Sequence, residues 1–307
     1  MDSKFAGYLI KRILLALVTI LFVITVTFFL MHIIPGGPFL SEKAVTKEVQ
    51  EALERKYGLD KPLLVQYFTY LKDLLRFDFG WSLKQRGKTV KELVFSGFVD
   101  SAKVGGLAAI LAIAGGVALG SLAAVRRNKI TDKITMVVST AFVAAPSFVV
   151  GTFIMLIFLV YMPRWLGTRA PEGFFYAVLT LSFYPMAYIT RLTRSSMLDV
   201  LGQDYIRTAR AKGVSKSKVI FKHALKNALI PVLTFVGPMI AYILTGSLVV
   251  ERIFSIPGIS RAFINSIINR DYTLIMGTTI FLASLIVIMN LITDILYRIV
   301  DPRIDFS

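Results

Sequence analysis

Long uncharged apolar runs alternate with charged connections along most of this chain. The runs are Ile13–Ile34, Val104–Val125, Ile134–Met162, Phe174–Thr190, Ala228–Val250 and Tyr272–Thr293. A bilayer core takes about 20 residues of helix, so each run reads as a span. The pattern predicts an all-α polytopic membrane protein with six transmembrane helices. The third run is the longest and holds Pro146 and Gly151; tilt, a kink or an interfacial extension absorbs the surplus. The fourth is the shortest and carries Pro185, and the fifth contains Pro231, Gly237, Pro238 and Gly246.

Residues 35–100 are the one long polar excursion. Val45, Val49, Leu53 and Tyr57 recur at helical spacing and stop at Gly58. Asp60 and Pro62 suit the start of a second helix with Leu63, Leu64, Tyr67, Leu71, Leu74 and Leu75 on its apolar face. The stretch FDFGW (77–81) reads as a turn. Thr89 and Glu92 form a capping box for a third helix. The excursion is too small for a core of its own, so it is expected to rest on the membrane domain. Three segments follow: 1–34 as N-terminus and first span, 35–100 as a helical insertion, and 101–307 as the membrane core.

Charge sets the orientation. Eighteen Lys/Arg lie in the N-terminus, 126–133, 191–227 and the tail, against five in the short loops 163–173 and 251–271. The long first loop is largely exempt from the positive-inside rule. The count places both chain ends, and with them the loop 191–227, in the cytoplasm. The first run is longer than a signal peptide's apolar region and is followed by Pro-Gly-Gly-Pro, so it reads as a retained anchor. The extracytoplasmic side receives the insertion. A mean hydropathy of +0.68 with 55% hydrophobic residues fits this class, and the net charge of +16 is a matter of topology rather than of nucleic-acid binding.

Several chemistries are excluded. The chain has no cysteine and two histidines, His32 and His223, too few for a disulfide, a thiolate site or a His-based metal site. Gly87-Lys88-Thr89 looks like the end of a phosphate-binding loop, but Ser82 stands where the first glycine belongs. No ATP motif is present, so ATP would have to be bound by another chain. Asp294 sits at the end of the sixth run, one turn before Arg298, and reads as an interfacial i,i+4 pair. The spans carry neither the carboxylates nor the inverted repeat expected of an ion-coupled carrier, and no constellation for an intramembrane enzyme.

The stretch DYIRTARAKGVSKSKVIFKHALKNALIP (204–231) is the most basic in the chain. Nine Lys/Arg and two acids fall between Arg191 and Asn227. Tyr205–Lys212 holds good helix formers, Gly213 is a stop, and a second helix begins near Ser215. This helix–glycine–helix resembles the cytoplasmic E-A-A loop of ABC-importer membrane subunits. The family's Glu-Ala-Ala falls on Arg207, Thr208 and Ala209, its glycine on Gly213 and its proline on Pro231. Arg207 replaces the Glu, and YIRTARAKG resembles the form seen in the oligopeptide/dipeptide/nickel branch.

That resemblance runs almost end to end. Its landmarks are Ile34–Phe39 (IPGGPF), YGLDKPLLVQY (57–67), LLRFDFGWSL (74–83), Pro146-Ser147-Phe148, GSLVVERIFSIPGISRAFINSIINRDY (246–272) and DPRI (301–304). PGGPF and SAKVG (101–105) are most similar to the oligopeptide type of B subunit. The resemblance implies a type I ABC importer permease fold with no cofactor of its own, ATP and Mg being bound by partners. It implies a second, similar membrane subunit, two ATPase subunits and an extracytoplasmic peptide-binding protein, with peptide as substrate and dipeptides or nickel as alternatives. It assigns ATPase coupling to Tyr205, Arg207, Thr208, Ala209, Arg210, Lys212 and Gly213. Backbone interrupted by Pro or Gly is tolerated at membrane depth only within protein or beside a cavity; Pro146, Gly237 and Pro238 are therefore the translocation-path candidates. Glu251, Pro257 and Gly258 are the receptor-docking candidates.

Overall fold

The computed structural model describes residues 3–33, 37–39, 47–167 and 172–300. Val45, Ile34-Pro35-Gly36 and the DPRI tail lie outside the described residues, as does the side chain of Arg298. The described residues form helices and connecting turns, with a single isolated β-bridge, Trp81 to Thr89. Five helices are long and apolar enough to cross a membrane, and a sixth crossing results if one bent pair is taken as a single span. The chain divides into two compact units, residues 1–99 with 257–285, and residues 100–256 with 286–307.

In the first unit, α1 (Ser3–Ile33) carries the first run. The polar excursion supplies α2 (Lys47–Tyr57) and α3 (Leu63–Leu74). Gly58 ends α2 at φ 66°, and the amide of Leu59 reaches back to the carbonyl of Glu54 at 2.8 Å, a glycine-terminated cap. The apolar face of α3 lies on the outer half of α1. Tyr67 packs on Phe28 and Phe29, and its hydroxyl meets Thr25 Oγ1 at 2.7 Å. Ile24, Met31, Met276 and Ile280 complete this cluster. The insertion thus rests on span residues, as its size requires.

The expected third helix of the excursion does not stand alone. The capping box is present: Glu92 N donates to Thr89 Oγ1 at 3.2 Å, and Thr89 N donates to Glu92 Oε2 at 3.1 Å. It opens α4 (Val90–Val125), a 36-residue helix that continues through the second run. No proline separates the polar turns at 90–103 from the apolar ones, and Gly105-Gly106 at the junction does not stop the helix, so it propagates.

The second unit contains α5 (Ile130–Ala144), α6 (Ser147–Leu166), α7 (Gly173–Leu201), α8 (Asp204–Ala211), α9 (Lys216–Ala228), α10 (Ile230–Leu244) and α11 (Leu248–Ile253). In the other unit are α12 (Ile259–Ile268) and the start of α13 (Tyr272–Val300). The third run is therefore two helices, not one tilted span. Pro146 lacks an amide hydrogen and pushes Ala145 into extended backbone (ψ 127°), which ends α5. The fifth run is broken as well: Gly246 adopts φ 81° between α10 and α11.

Helix α7 is the hub of the second unit. In its most apolar window 44% of residues are buried, against 11% for α6, so α6 presents most of its surface to lipid or a partner. On α4, Gly116 and Gly120 allow direct backbone approach. A Cβ on Gly116 would lie 2.6 Å from Ile189, and one on Gly120 would lie 2.5 Å from the Thr190 carbonyl oxygen. The small-xxx-small spacing is a tight helix–helix seam. Tyr188 of α7 stacks on Phe235 of α10 with centroids 4.2 Å apart. Within α7, Thr180 Oγ1 donates to Tyr176 O and Thr190 Oγ1 to Met186 O.

Candidate coupling surface

Helix α8 is eight residues long and amphipathic at its own scale. Asp204 lies in its first turn, where a carboxylate suits the helix dipole. Ile206 is fully buried, in a cluster with Ala124 of α4, Met197 of α7 and Val219, Ala224 and Ala228 of α9. Ala209, one turn along, is half-buried in the same cluster. The opposite face carries Arg207, Thr208, Arg210 and Lys212, all exposed. Arg207 reaches back to Asp204 at 3.5 Å, a solvent-exposed i,i+3 pair of little consequence for stability. Thr208 Oγ1 donates to Asp204 O at 3.0 Å. The Tyr205 hydroxyl accepts from Asn227 Nδ2 at 2.8 Å, tying the start of α8 to the end of α9.

Gly213 terminates α8 as its sequence position suggests. It holds φ 77°, its amide donates to Arg210 O at 3.0 Å, and Val214 N donates to Ala209 O at 3.2 Å. These are the two bonds of a Schellman motif, and Ala209 and Val214 both pack against the buried cluster around Ile206. Helix α9 then runs back toward the apolar core through a π-helical stretch, Val219–Ala224. The chain bends by 54° at Leu229 into α10. The seven coupling candidates thus fall on α8 and the two residues that follow it, on an apolar footing, with a cationic face left open.

One part of this corner was not visible in the sequence. Asp132, in the first turn of α5, is 2% exposed. Arg194 of α7 grips it bidentately, Nε to Oδ1 at 2.5 Å and Nη2 to Oδ2 at 2.8 Å. The amide of Asn128, at φ 63°, adds a third bond to Oδ2 at 2.9 Å. The Arg194 hydrogen bonds hold the Asp132 carboxyl below the usual carboxylate range, against the opposing effect of burial. The two residues are 62 positions apart, so no local pattern links them. The acid in the first turn of a helix is the only signal the sequence holds.

The other candidates separate. Pro146 is exposed at the α5–α6 break, and Pro238 is exposed within α10. Gly237 is buried and closely packed: a Cβ there would lie 2.5 Å from Thr293 Oγ1. Glu251 does not present itself for docking. It is 2% exposed, and Ser101 Oγ donates to its Oε1 at 2.6 Å. Pro257 is exposed, whereas Gly258 is buried, its carbonyl carbon 3.2 Å from where a Cβ on Gly97 would lie.

A second buried carboxylate organises the first unit. Asp271, 1% exposed, accepts from Ser82 Oγ, from Leu83 N at 3.1 Å, from Thr273 Oγ1 at 3.1 Å and from Leu274 N at 3.3 Å. It caps α13 and holds the loop after FDFGW at once. Ser82 Oγ in turn accepts from Gln85 N at 2.8 Å. Beside this loop is a cavity of 410 Å³ lined by His32, Lys61, Tyr70, Asp73, Trp81 and Tyr272, among others.

Comparison with known proteins agrees with this architecture. Residues 116–306 match the model of the binding-protein-dependent transport system inner membrane component, and residues 5–104 match the N-terminal model of the same membrane component. The chain is 44% identical to the dipeptide transport system permease protein DppB of Bacillus subtilis, over 97% of this chain and 98% of that protein. It is 43% identical to the oligopeptide transport system permease protein OppB of Haemophilus influenzae and 40% identical to that of Escherichia coli, over 97% of this chain and 99% of each. Among solved structures, the crystal structure of an amino acid ABC transporter with histidines shares the fold. It has a TM-score of 0.52 at 19% identity, over 70% of this chain and 95% of that one. The chain therefore belongs to the binding-protein-dependent transport system inner membrane component family, as a multi-pass bacterial-membrane permease subunit of an ABC importer.

Proposed function

We propose that this chain forms half of the translocation pathway of an ATP-driven peptide importer. Its partners are a second, similar membrane subunit, two ATPase subunits and an extracytoplasmic peptide-binding protein. ATP and Mg are bound by the ATPase subunits, and this chain is non-catalytic and carries no cofactor. The observation that carries the reading is α8: a short helix pinned by Ile206, stopped by Gly213, with Arg207, Arg210 and Lys212 turned outward. Closure of the ATPase pair carries this helix with it and moves α7 and α10, and the translocation pathway opens outward. The binding protein then releases its peptide, and hydrolysis resets the cycle. Peptide is the proposed cargo because relatives of both dipeptide and oligopeptide systems match at 40–44% identity. That near-equality favours neither length class.

The test is purification of the tagged chain from its own membranes in mild detergent, followed by reconstitution. A similar membrane subunit and two P-loop ATPases are expected to co-purify. Proteoliposomes are expected to take up peptide with ATP inside and binding protein outside. Di-, tetra- and longer peptides set the length class, and uptake of nickel instead of peptide would replace the substrate assignment. A chain that purifies without an ATPase, even after cross-linking, would reduce α8 to a basic surface loop.

A further inference from the structure

Helix α5 has 15 residues, fewer than a bilayer crossing takes; it begins in the basic loop and ends at the Pro146 break. It is fixed to α7 at both ends. At the start is the Asp132–Arg194 pair. At the other end Phe142 stacks on Phe183, rings 10° from parallel and centroids 4.6 Å apart. On α7, Arg194 stands one turn before Met197, which is buried in the same cluster as Ile206 of the coupling helix. A continuous route therefore runs from Ile206 to Met197, across the ion pair to α5, and along α5 to Pro146 and α6.

We infer that Asp132 and Arg194 are positioning residues of the transport cycle: their ion pair clamps α5 to the end of α7, so that movement of the coupling helix is delivered to the Pro146 break. The inference rests on the coupling role of α8 proposed above. A bidentate guanidinium–carboxylate contact fixes both distance and orientation, which a lever needs and an apolar contact does not supply. The third bond, from Asn128, closes the loop onto the same carboxylate. Without the pair, α5 keeps its packing on α7 but gains freedom to slide. ATPase movement is then absorbed between α5 and α7.

The chain has no cysteine, so a single Ala211→Cys change, at an exposed α8 residue outside the named coupling set, reports contact between α8 and the ATPase by cross-linking. The complete importer is reconstituted with this reporter, alone and with Asp132→Asn, with Arg194→Lys, or with the reversed pair Asp132→Arg/Arg194→Asp. Peptide uptake, ATP hydrolysis and cross-link yield are measured together. Asp132→Asn is expected to lower uptake about tenfold while hydrolysis and the cross-link persist. Arg194→Lys, which keeps the charge but loses the fork, falls between. The reversed pair recovers part of the uptake; an arginine in the first turn of α5 opposes the helix dipole and loses the Asn128 bond. If Asp132→Asn fails to insert, Arg194→Lys carries the test. Full uptake in an inserted Asp132→Asn or Arg194→Lys importer that still cross-links overturns the clamp. So does joint loss of uptake and cross-link with no recovery in the reversed pair, which would make the pair merely structural. Absence of a cross-link in the parent importer removes the coupling reading, and the clamp with it.

Discussion

The loop 78–89 and the helix Asp204–Ala211 are both short surface segments, yet they are held by opposite means. The loop is fastened by polar bonds that converge on one buried carboxylate, Asp271, and its Ser82 hydroxyl is committed as both donor and acceptor. The helix is fastened by one apolar peg, Ile206, with a hydroxyl at the rim, and among the described residues its cationic face has no ion-pair partner beyond Asp204. Directional bonds fix a single geometry and cost much to leave unmade. An apolar peg holds position while tolerating rotation. The first arrangement suits a part that must stay still, the second a part that must move with something else.

The comparison breaks first at Asp271. Replacing it with Ala strands several donors at a buried site and costs about 3 kcal/mol. The loop then opens, and trypsin cleavage at Lys84, Arg86 and Lys88 accelerates by about two orders of magnitude through the larger open population. Asp271→Asn keeps an acceptor and loses less. Equal protection in Asp271→Ala would mean that packing around Trp81, not the carboxylate, holds the loop.

Ile206→Ala attacks the other fastening. Removing a fully buried aliphatic side chain costs about 2–4 kcal/mol, at the lower end here because the helix is short and settles toward the cluster. Cleavage at Arg207, Arg210 and Lys212 should quicken, and peptide uptake should fall more than ATP hydrolysis. Ile206→Val, a loss of one methylene, should cost about 1 kcal/mol and leave transport near normal.

Gly213→Val is smaller again. Nothing lies within 4 Å of a Cβ at this position, so no clash arises; the backbone at φ 77° is the whole obstacle. A β-branched residue in that conformation costs about 1–3 kcal/mol. The Schellman cap is then lost and uptake uncouples from hydrolysis while the chain remains inserted. Gly213→Asn should be milder, since Asn accepts the left-handed region. Equal damage from both would assign Gly213 to direct contact with the ATPase rather than to the turn.

How much of this was legible follows from the range of the interactions. The first, second, fourth and sixth spans, Gly58, the Thr89–Glu92 box, α8 and its Gly213 stop are set by local composition and spacing, and each appears where the sequence indicates. The breaks at Pro146 and Gly246 were marked by their residues, but a proline inside an apolar run fits a kink as well as a chain end. The extension of α4 back to Val90 shows the same ambiguity from the other side: a capping box says where a helix starts, not how far it goes. Asp132–Arg194 and Ser82–Asp271 join residues 62 and 189 positions apart, and only folding brings them together. The burial of Glu251 was hidden for the same reason, since Ser101, which donates to it, lies 150 residues away.

The smallest effect concerns pH and sharpens the contrast between the two buried aspartates. Asp132 is answered by a full positive charge, and its folded form holds a proton less tightly than the unfolded chain does. Its contribution to stability is therefore complete above the ordinary aspartate range, about pH 4. It is lost only as the pH falls through the lower, folded value. Between about pH 5 and 8 the pair stays ionised, so the clamp on α5 neither tightens nor loosens over the range a bacterial membrane meets. Uptake divided by hydrolysis in the parent importer should be flat across that interval. A decline in this ratio from pH 7 to pH 5 that Asp132→Asn abolishes would mean that Asp132 titrates there, and that water enters the corner between α5 and α7 during the cycle.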